Sequence, residues 1–137
     1  MKITFLEAEV PLTKTFSIKD GQLVKTGHPQ IIEVTSHTEE FETIEELHAL
    51  LVQHAEAGHS MLKGVVMRPL IRESRAGSTD PNAPTRILLL DLDGVKDVKD
   101  VEHFLKILGL GNVDYIAQYS CSMGVDRKST RLNSSHM

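Results

Sequence analysis

Ile87-Leu88-Leu89-Leu90 runs straight into Asp91-Leu92-Asp93-Gly94. An apolar run this short, set between a proline-containing loop and a glycine, reads as a strand buried on both faces. Residues i and i+2 of a strand share a face. Asp91 and Asp93 therefore project together from the strand's end. Two carboxylates a few ångströms apart must share a proton or take a cation. Hard oxygen donors of this kind suit Mg²⁺ or Mn²⁺. Gly94 allows the backbone to turn sharply beside them. The same residues also read as a solvated acidic turn after an edge strand.

Around this feature the chain alternates strand and helix signals. Ile3 to Val10 reads as a first strand, stopped by Pro11. Thr13 to Ile18 and Gln22 to Lys25 flank Asp20-Gly21, a hairpin turn signal. Ile31 to Thr35 is a further strand. Thr43 and Glu46 form a capping box ahead of Ile44, Leu47, Leu50, Leu51 and His54, which recur at helical spacing until Gly58. Met61 to Pro69 is short and apolar, and Arg72 to Pro84 is a loop. Val98, Val101, Phe104, Leu105 and Leu108 make a second helix, with Asp97 at its N-cap. Val113 to Ser120 closes the series as a strand. The expected class is α+β, a mixed, largely antiparallel sheet with flanking helices.

Charge narrows the function classes. The chain carries 15 Lys and Arg against 19 Asp and Glu, so bulk charge does not announce a nucleic-acid partner. Lys63, Arg68, Arg72 and Arg75 form the local cationic cluster. Such charges can hold triphosphate or template phosphates. Ser120 and Ser122, at a strand end, could bond a phosphate oxygen or cap a turn. Lys14 reads as an exposed strand lysine that could also reach a phosphate. His48, His54 and His59 suggest a metal cluster at first sight but read as solvated: the first two face different sides of a helix and the third lies past its end. One cysteine, Cys121, excludes an internal disulfide framework and fits a reducing compartment. No apolar run is long enough to span a membrane, and residues 1–5 open a strand and not a signal peptide. A soluble, cytoplasmic protein is expected.

The last twelve residues stand apart. Asp126 to His136 match, in order, the translation of a standard sequencing-library adapter, and Met137 fits the index that follows it. Residues 126–137 are therefore expected to be an artefactual, disordered tail that packs against nothing. Residues 1–125 are expected to be the protein-derived part.

Leu12-Thr13-Lys14 with Asp20-Gly21, Leu62-Lys63-Gly64, Glu73-Ser74-Arg75-Ala76-Gly77-Ser78-Thr79, Leu90-Asp91-Leu92-Asp93-Gly94 and Gln118-Tyr119-Ser120-Cys121-Ser122-Met123-Gly124 follow one another in an informative order. In that order they resemble the primase-like domain of bacteriophage and plasmid replication proteins, in the archaeo-eukaryotic primase superfamily. The resemblance spans most of residues 1–125. It implies the N-terminal part of a primase-polymerase domain in which Asp91 and Asp93 are the catalytic metal ligands. It also implies Mg²⁺ or Mn²⁺ as cofactor, a DNA template and nucleoside triphosphates as substrates, and a fused or separate helicase. Arg72, Arg75, Lys63, Ser120 and Ser122 become the nucleotide- and DNA-binding candidates. The superfamily's histidine after the serine-glycine strand and its third acidic motif do not occur within 1–125, so the fragment itself is expected to be inactive. Two alternatives stay open. Leu88 to Val95 also fits a haloacid-dehalogenase-like phosphohydrolase with Asp91 as nucleophile, although that motif normally opens its domain. The third reading is a catalytically inactive origin-binding module.

Overall fold

In a computed structural model of the chain, residues 1–12, 15–26, 31–93, 95–119 and 131–136 are described, the last six by backbone alone. They form an α+β arrangement of antiparallel strands and two helices. The strands are distributed over four small sheets, where one larger sheet was expected. Two compact units result: Met1–Ser17 with Lys25–Thr85, and Ile18–Val24 with Arg86–Met137.

In the first unit, β1 (Lys2–Glu7) is central, between β4 (Thr35–Glu40) and β5 (Ser60–Met61). Ile3, Thr4, Phe5 and Leu6 are all buried. Four consecutive buried residues mean that both faces of β1 are covered, because successive side chains alternate in direction. Leu6 packs with Val34 and Leu70, backed by Leu12, Ile31, Leu62 and Val66. Phe5, on the opposite face, stacks on the ring of His54 at 3.8 Å between centroids.

The expected strand over Ile31–Thr35 lies later in the chain. Ile31 and Val34 go into the core cluster, and the polar run Thr35–Glu40 pairs with β1 instead. Backbone ladders do not require apolar side chains. Here Thr38 Oγ1 meets Thr4 Oγ1 at 3.0 Å, and Ser36 Oγ accepts from the Leu70 amide at 2.8 Å.

Helix α1 (Ile44–Glu56) starts as the sequence indicates. Thr43 Oγ1 accepts from the Glu46 amide, and Glu46 returns a carboxylate to the Glu42 amide. Leu47 and His54 are its buried residues. The helix ends at Gly58, whose φ is +77°. Only glycine adopts this conformation without strain. A side chain there would also meet Pro11 Cβ at 2.8 Å. Within the segment read as a loop, β7 (Thr79–Asp80) pairs with β6 (Val65–Val66).

The hairpin of β2 (Thr15–Lys19) and β3 (Gln22–Thr26) turns through Asp20 at φ +53° and Gly21 at φ +73°. Positive φ at both central residues is the geometry that matches strand twist in a two-residue hairpin.

In the second unit, β8 (Leu88–Asp93) leads into α2 (Val98–Ile107) and then β9 (Tyr115–Tyr119). Asp97 caps α2 by accepting from the Lys99 amide. Val101 and Leu105 are fully buried against Leu90, Leu92, Val95, Leu110, Tyr115 and Ala117. Between β8 and β9 runs β10 (Arg131–His136), antiparallel to both. This differs from the expectation that the adapter-like tail packs against nothing. Two strands with unpaired edges accept an extended segment through backbone groups alone, whatever its side chains. Residues 126–130 and 137 lie outside the described residues. Among the described residues, no helix is long and apolar enough to cross a membrane.

Candidate functional site

The acidic strand end is laid out by alternation. Leu90 and Leu92 turn onto α2, and Asp91 and Asp93 occupy the opposite, exposed face of β8. Of the expectation for this strand, the shared face of the two acidic residues is present. Two parts of it are corrected. Among the described residues β8 is an edge strand of its sheet, with β10 as its single neighbour, and Leu88 is 49% exposed. The reason is that α2 covers only the Leu90/Leu92 face. The apolar run is therefore half-buried, not buried on both sides. Register sets Tyr119, the last described residue of β9, level with Leu92 across β10. Ser120, Ser122, Gly94 and Cys121 lie outside the described residues, as does Lys14.

Two exposed carboxylates at i and i+2 offer hard oxygen donors that fit Mg²⁺ or Mn²⁺. Among the described residues, no third His, Cys, Asp or Glu joins them within ligand distance. The residues present are thus a partial ligand set, suited to an ion that keeps several waters.

The cationic candidates belong to the first unit, and Asp91 and Asp93 to the second. Lys63 and Arg75 are exposed. Arg68 is ion-paired with Glu73. Arg72 lines a cleft of about 210 Å³ together with Glu7, Glu9, Glu33 and Thr35. Its φ of +47° is unusual for a residue with a side chain. Its amide is held by Thr35 Oγ1. Arg72 thus shares its cleft with three acidic residues, and its charge acts on the Glu7 carboxyl, a setting that competes with phosphate for it.

A second constellation occurs in the first unit. The β1–β4 register sets Phe5 opposite His37, and Glu7 opposite Thr35. Glu7, Phe5, His37 and Glu39 therefore share one face of the sheet. Helix α1 lays His54 on that face, and the turn at Gly58 returns the chain so that His59 follows. The His59 amide donates to the His54 carbonyl at 2.9 Å, which fixes the turn. His37 Nε2 donates to Glu7 Oε2 at 2.6 Å. His59 Nε2 lies 3.9 Å from the same oxygen. The His37 and His59 rings stack with centroids 5.2 Å apart. Behind them His54, 5% exposed, bonds His59 Nδ1 through its Nδ1 at 2.8 Å and Glu39 Oε1 through its Nε2 at 3.3 Å. One donor atom each from Glu7, His37 and His59 lies within 4.8 Å of the others.

Electrostatics follow from this packing. The His37 hydrogen bond holds the Glu7 carboxyl below the ordinary carboxylate range, with further help from the charges of His37, His59 and Arg72. Desolvation pushes His59 below its ordinary value, and the nearby Glu7 charge opposes that shift. Glu7 therefore favours its anionic form and His59 its neutral form, which are the forms that coordinate metals.

Sequence reasoning missed Glu7, His37 and Glu39 altogether and placed His54 and His59 in solvent. One signal was available: His54 sits on the apolar stripe with Leu47, Leu50 and Leu51. A histidine at a core position of an amphipathic helix needs polar partners there.

No family model, curated protein or solved structure matches the chain.

Proposed function

We propose that this chain is the N-terminal part of a primase-polymerase catalytic domain that performs template-directed nucleotidyl transfer in the replication of a mobile element. DNA and nucleoside triphosphates are its substrates in this reading, and a helicase, fused or separate, its partner. The observation that carries it is the placement of Asp91 and Asp93 on the exposed face of β8, with Leu90 and Leu92 anchoring the strand to α2. The ordered motifs around them supply the family expectation. Divalent ions held there would supply Lewis-acid activation of a 3′-hydroxyl and neutralise the triphosphate. The chain's own part is to place two oxygen donors on one exposed face of β8. Arg75 and Lys63, both exposed, are the proposed phosphate contacts, together with Arg72, Ser120 and Ser122.

The test is nucleotide incorporation by a longer chain that adds the superfamily's histidine and third acidic motif. Incorporation should require Mg²⁺ or Mn²⁺. Asp91→Ala or Asp93→Ala should each lower it about 10²-fold or more, because the remaining ligands hold the ions poorly. Release of phosphate from small phosphoesters, with Asp91 covalently phosphorylated, would instead establish the phosphohydrolase reading. DNA binding with no transfer under any metal would establish the origin-binding reading.

A further inference from the structure

We infer that Glu7, His37 and His59 form a binding site for a divalent first-row transition metal such as Zn²⁺, held by one carboxylate oxygen and two imidazole nitrogens with a fourth position open. This site lies in the first unit and does not rest on the role proposed for Asp91 and Asp93.

The donor set is the first argument. Two imidazoles and one carboxylate suit borderline ions such as Zn²⁺ better than Mg²⁺ or Ca²⁺, which prefer oxygen alone. Three protein ligands with a vacant fourth position are the arrangement of zinc sites that bind water or substrate.

Spacing is the second. Ligand atoms about 2.0–2.2 Å from a tetrahedral zinc stand roughly 3.3–3.5 Å from one another. Glu7 Oε2 lies 2.6 Å from His37 Nε2 and 3.9 Å from His59 Nε2. The two distances bracket the required value: the first must lengthen by about 0.7–0.9 Å and the second shorten by about 0.4–0.6 Å. The Glu7 side chain is 48% exposed and can supply that movement by rotation. Metal would replace the proton that His37 and Glu7 share.

Orientation is the third. A metal-bound histidine is ordinarily held by a bond from its other ring nitrogen. Glu39, as a carboxylate, only accepts. Nε2 of His54 therefore carries a proton toward it, and a singly protonated His54 leaves Nδ1 as an acceptor. His59 Nδ1 then donates to His54 Nδ1, which leaves the lone pair on His59 Nε2, the atom nearer Glu7. His54 is thus a positioning residue, locked by its stack on Phe5 and its burial. The His37 and His59 rings lie 5.2 Å apart with nearly parallel planes, so one ring must turn to bring both in-plane lone pairs onto a single ion.

The test uses the full chain without a histidine tag, titrated with Co²⁺ as a spectroscopic probe and then with Zn²⁺. One equivalent of Co²⁺ should give the visible absorption of a four-coordinate ion, and Zn²⁺ should abolish it. Glu7→Gln, His37→Gln and His59→Gln should each weaken binding about 100-fold. His54→Gln should weaken it about 10-fold through loss of orientation. His48→Gln, an exposed position on α1, should change nothing. A second measurement needs no variant: long-range ¹H–¹⁵N spectra of the unaltered chain should show Zn²⁺ shifting Nε2 of His37 and His59 while His48 and His103 stay put. Binding that survives His37→Gln and His59→Gln, or Zn²⁺ that leaves both Nε2 signals unmoved, overturns the site. Neither result would touch the assay of Asp91 and Asp93.

Discussion

His54 is a buried polar residue of the first unit that ties three elements of the structure together. Its ring stacks on Phe5, and its two nitrogens engage His59 and Glu39 from a nearly buried position. His54→Ala removes the stack, leaves a cavity beside Phe5 and strips His59 of its partner. Loss of a buried ring and its hydrogen bonds should cost about 2–4 kcal/mol in denaturant unfolding. A cost below about 1 kcal/mol, the scale of an ordinary surface substitution, would show that the ring is not packed as described.

The same cluster sets a pH dependence. Glu7 and His59 both hold their protons less tightly in the folded chain than in the unfolded one, the first mainly through His37 and the second mainly through desolvation. The unfolded state therefore binds more protons, and stability rises with pH. Stability should be greatest near neutrality and fall as pH drops below about 6.5, first through His59 and then, below the ordinary carboxylate range, through Glu7. The groups facing them are His37 and Glu39 on β4, His54 on α1, and Arg72. Thermal unfolding between pH 7.5 and 5.0 reads the His59 part of this decline directly. His59→Gln should flatten the upper part of the decline, and an unchanged profile in that variant would assign the decline to other groups.

At the scale of elements, some structure was legible and some was not. The capping box of α1, the Asp97 cap of α2, and the Asp20-Gly21 turn all use local chemistry, and local chemistry is written in adjacent residues. β4 was not legible. Thr35-Ser36-His37-Thr38-Glu39-Glu40 has no apolar alternation, and it is a strand because β1 offers it a ladder. The Glu7–His37 pairing follows from that ladder, between residues 30 positions apart. The burial of β8 was misjudged for a related reason: how many faces are covered depends on which elements pack there, not on the run itself.

Gly58 links element to site. Gly58→Ala would place a side chain at positive φ and 2.8 Å from Pro11 Cβ. The backbone term alone costs about 1–2 kcal/mol, and relief of the clash must move either Pro11 or the turn that carries His59. The expected result is a lower unfolding temperature together with altered His59 side-chain resonances. A neutral outcome would contradict the tight approach of Pro11.

β10 allows a separate check. Deleting residues 126–137 removes the strand that satisfies edges of both β8 and β9. Amide exchange over 88–93 and 115–119 should accelerate, with exchange in β1 unchanged. Equal protection with and without those residues would mean that the ladder contributes nothing.

At the scale of the whole molecule, the chain offers two donor sets of different chemistry, one in each compact unit. The first unit presents two imidazoles and a carboxylate. The second presents two carboxylates on a strand anchored by Leu90 and Leu92 to Val101 and Leu105. The acidic pair was legible because its spacing alone puts both residues on one face. The histidine site was not, because its members come from β1, β4 and the turn after α1.

Hard and borderline ions should therefore sort between the two sets. The most direct test of the nucleotidyl-transfer account is paramagnetic broadening of the chain's amide resonances by Mn²⁺. The account predicts broadening centred on Asp91, Leu92 and Asp93 at millimolar Mn²⁺, lost in Asp91→Asn and Asp93→Asn while the fold persists. Broadening confined to the surroundings of His37 and His59, or broadening at β8 that survives both substitutions, would contradict it.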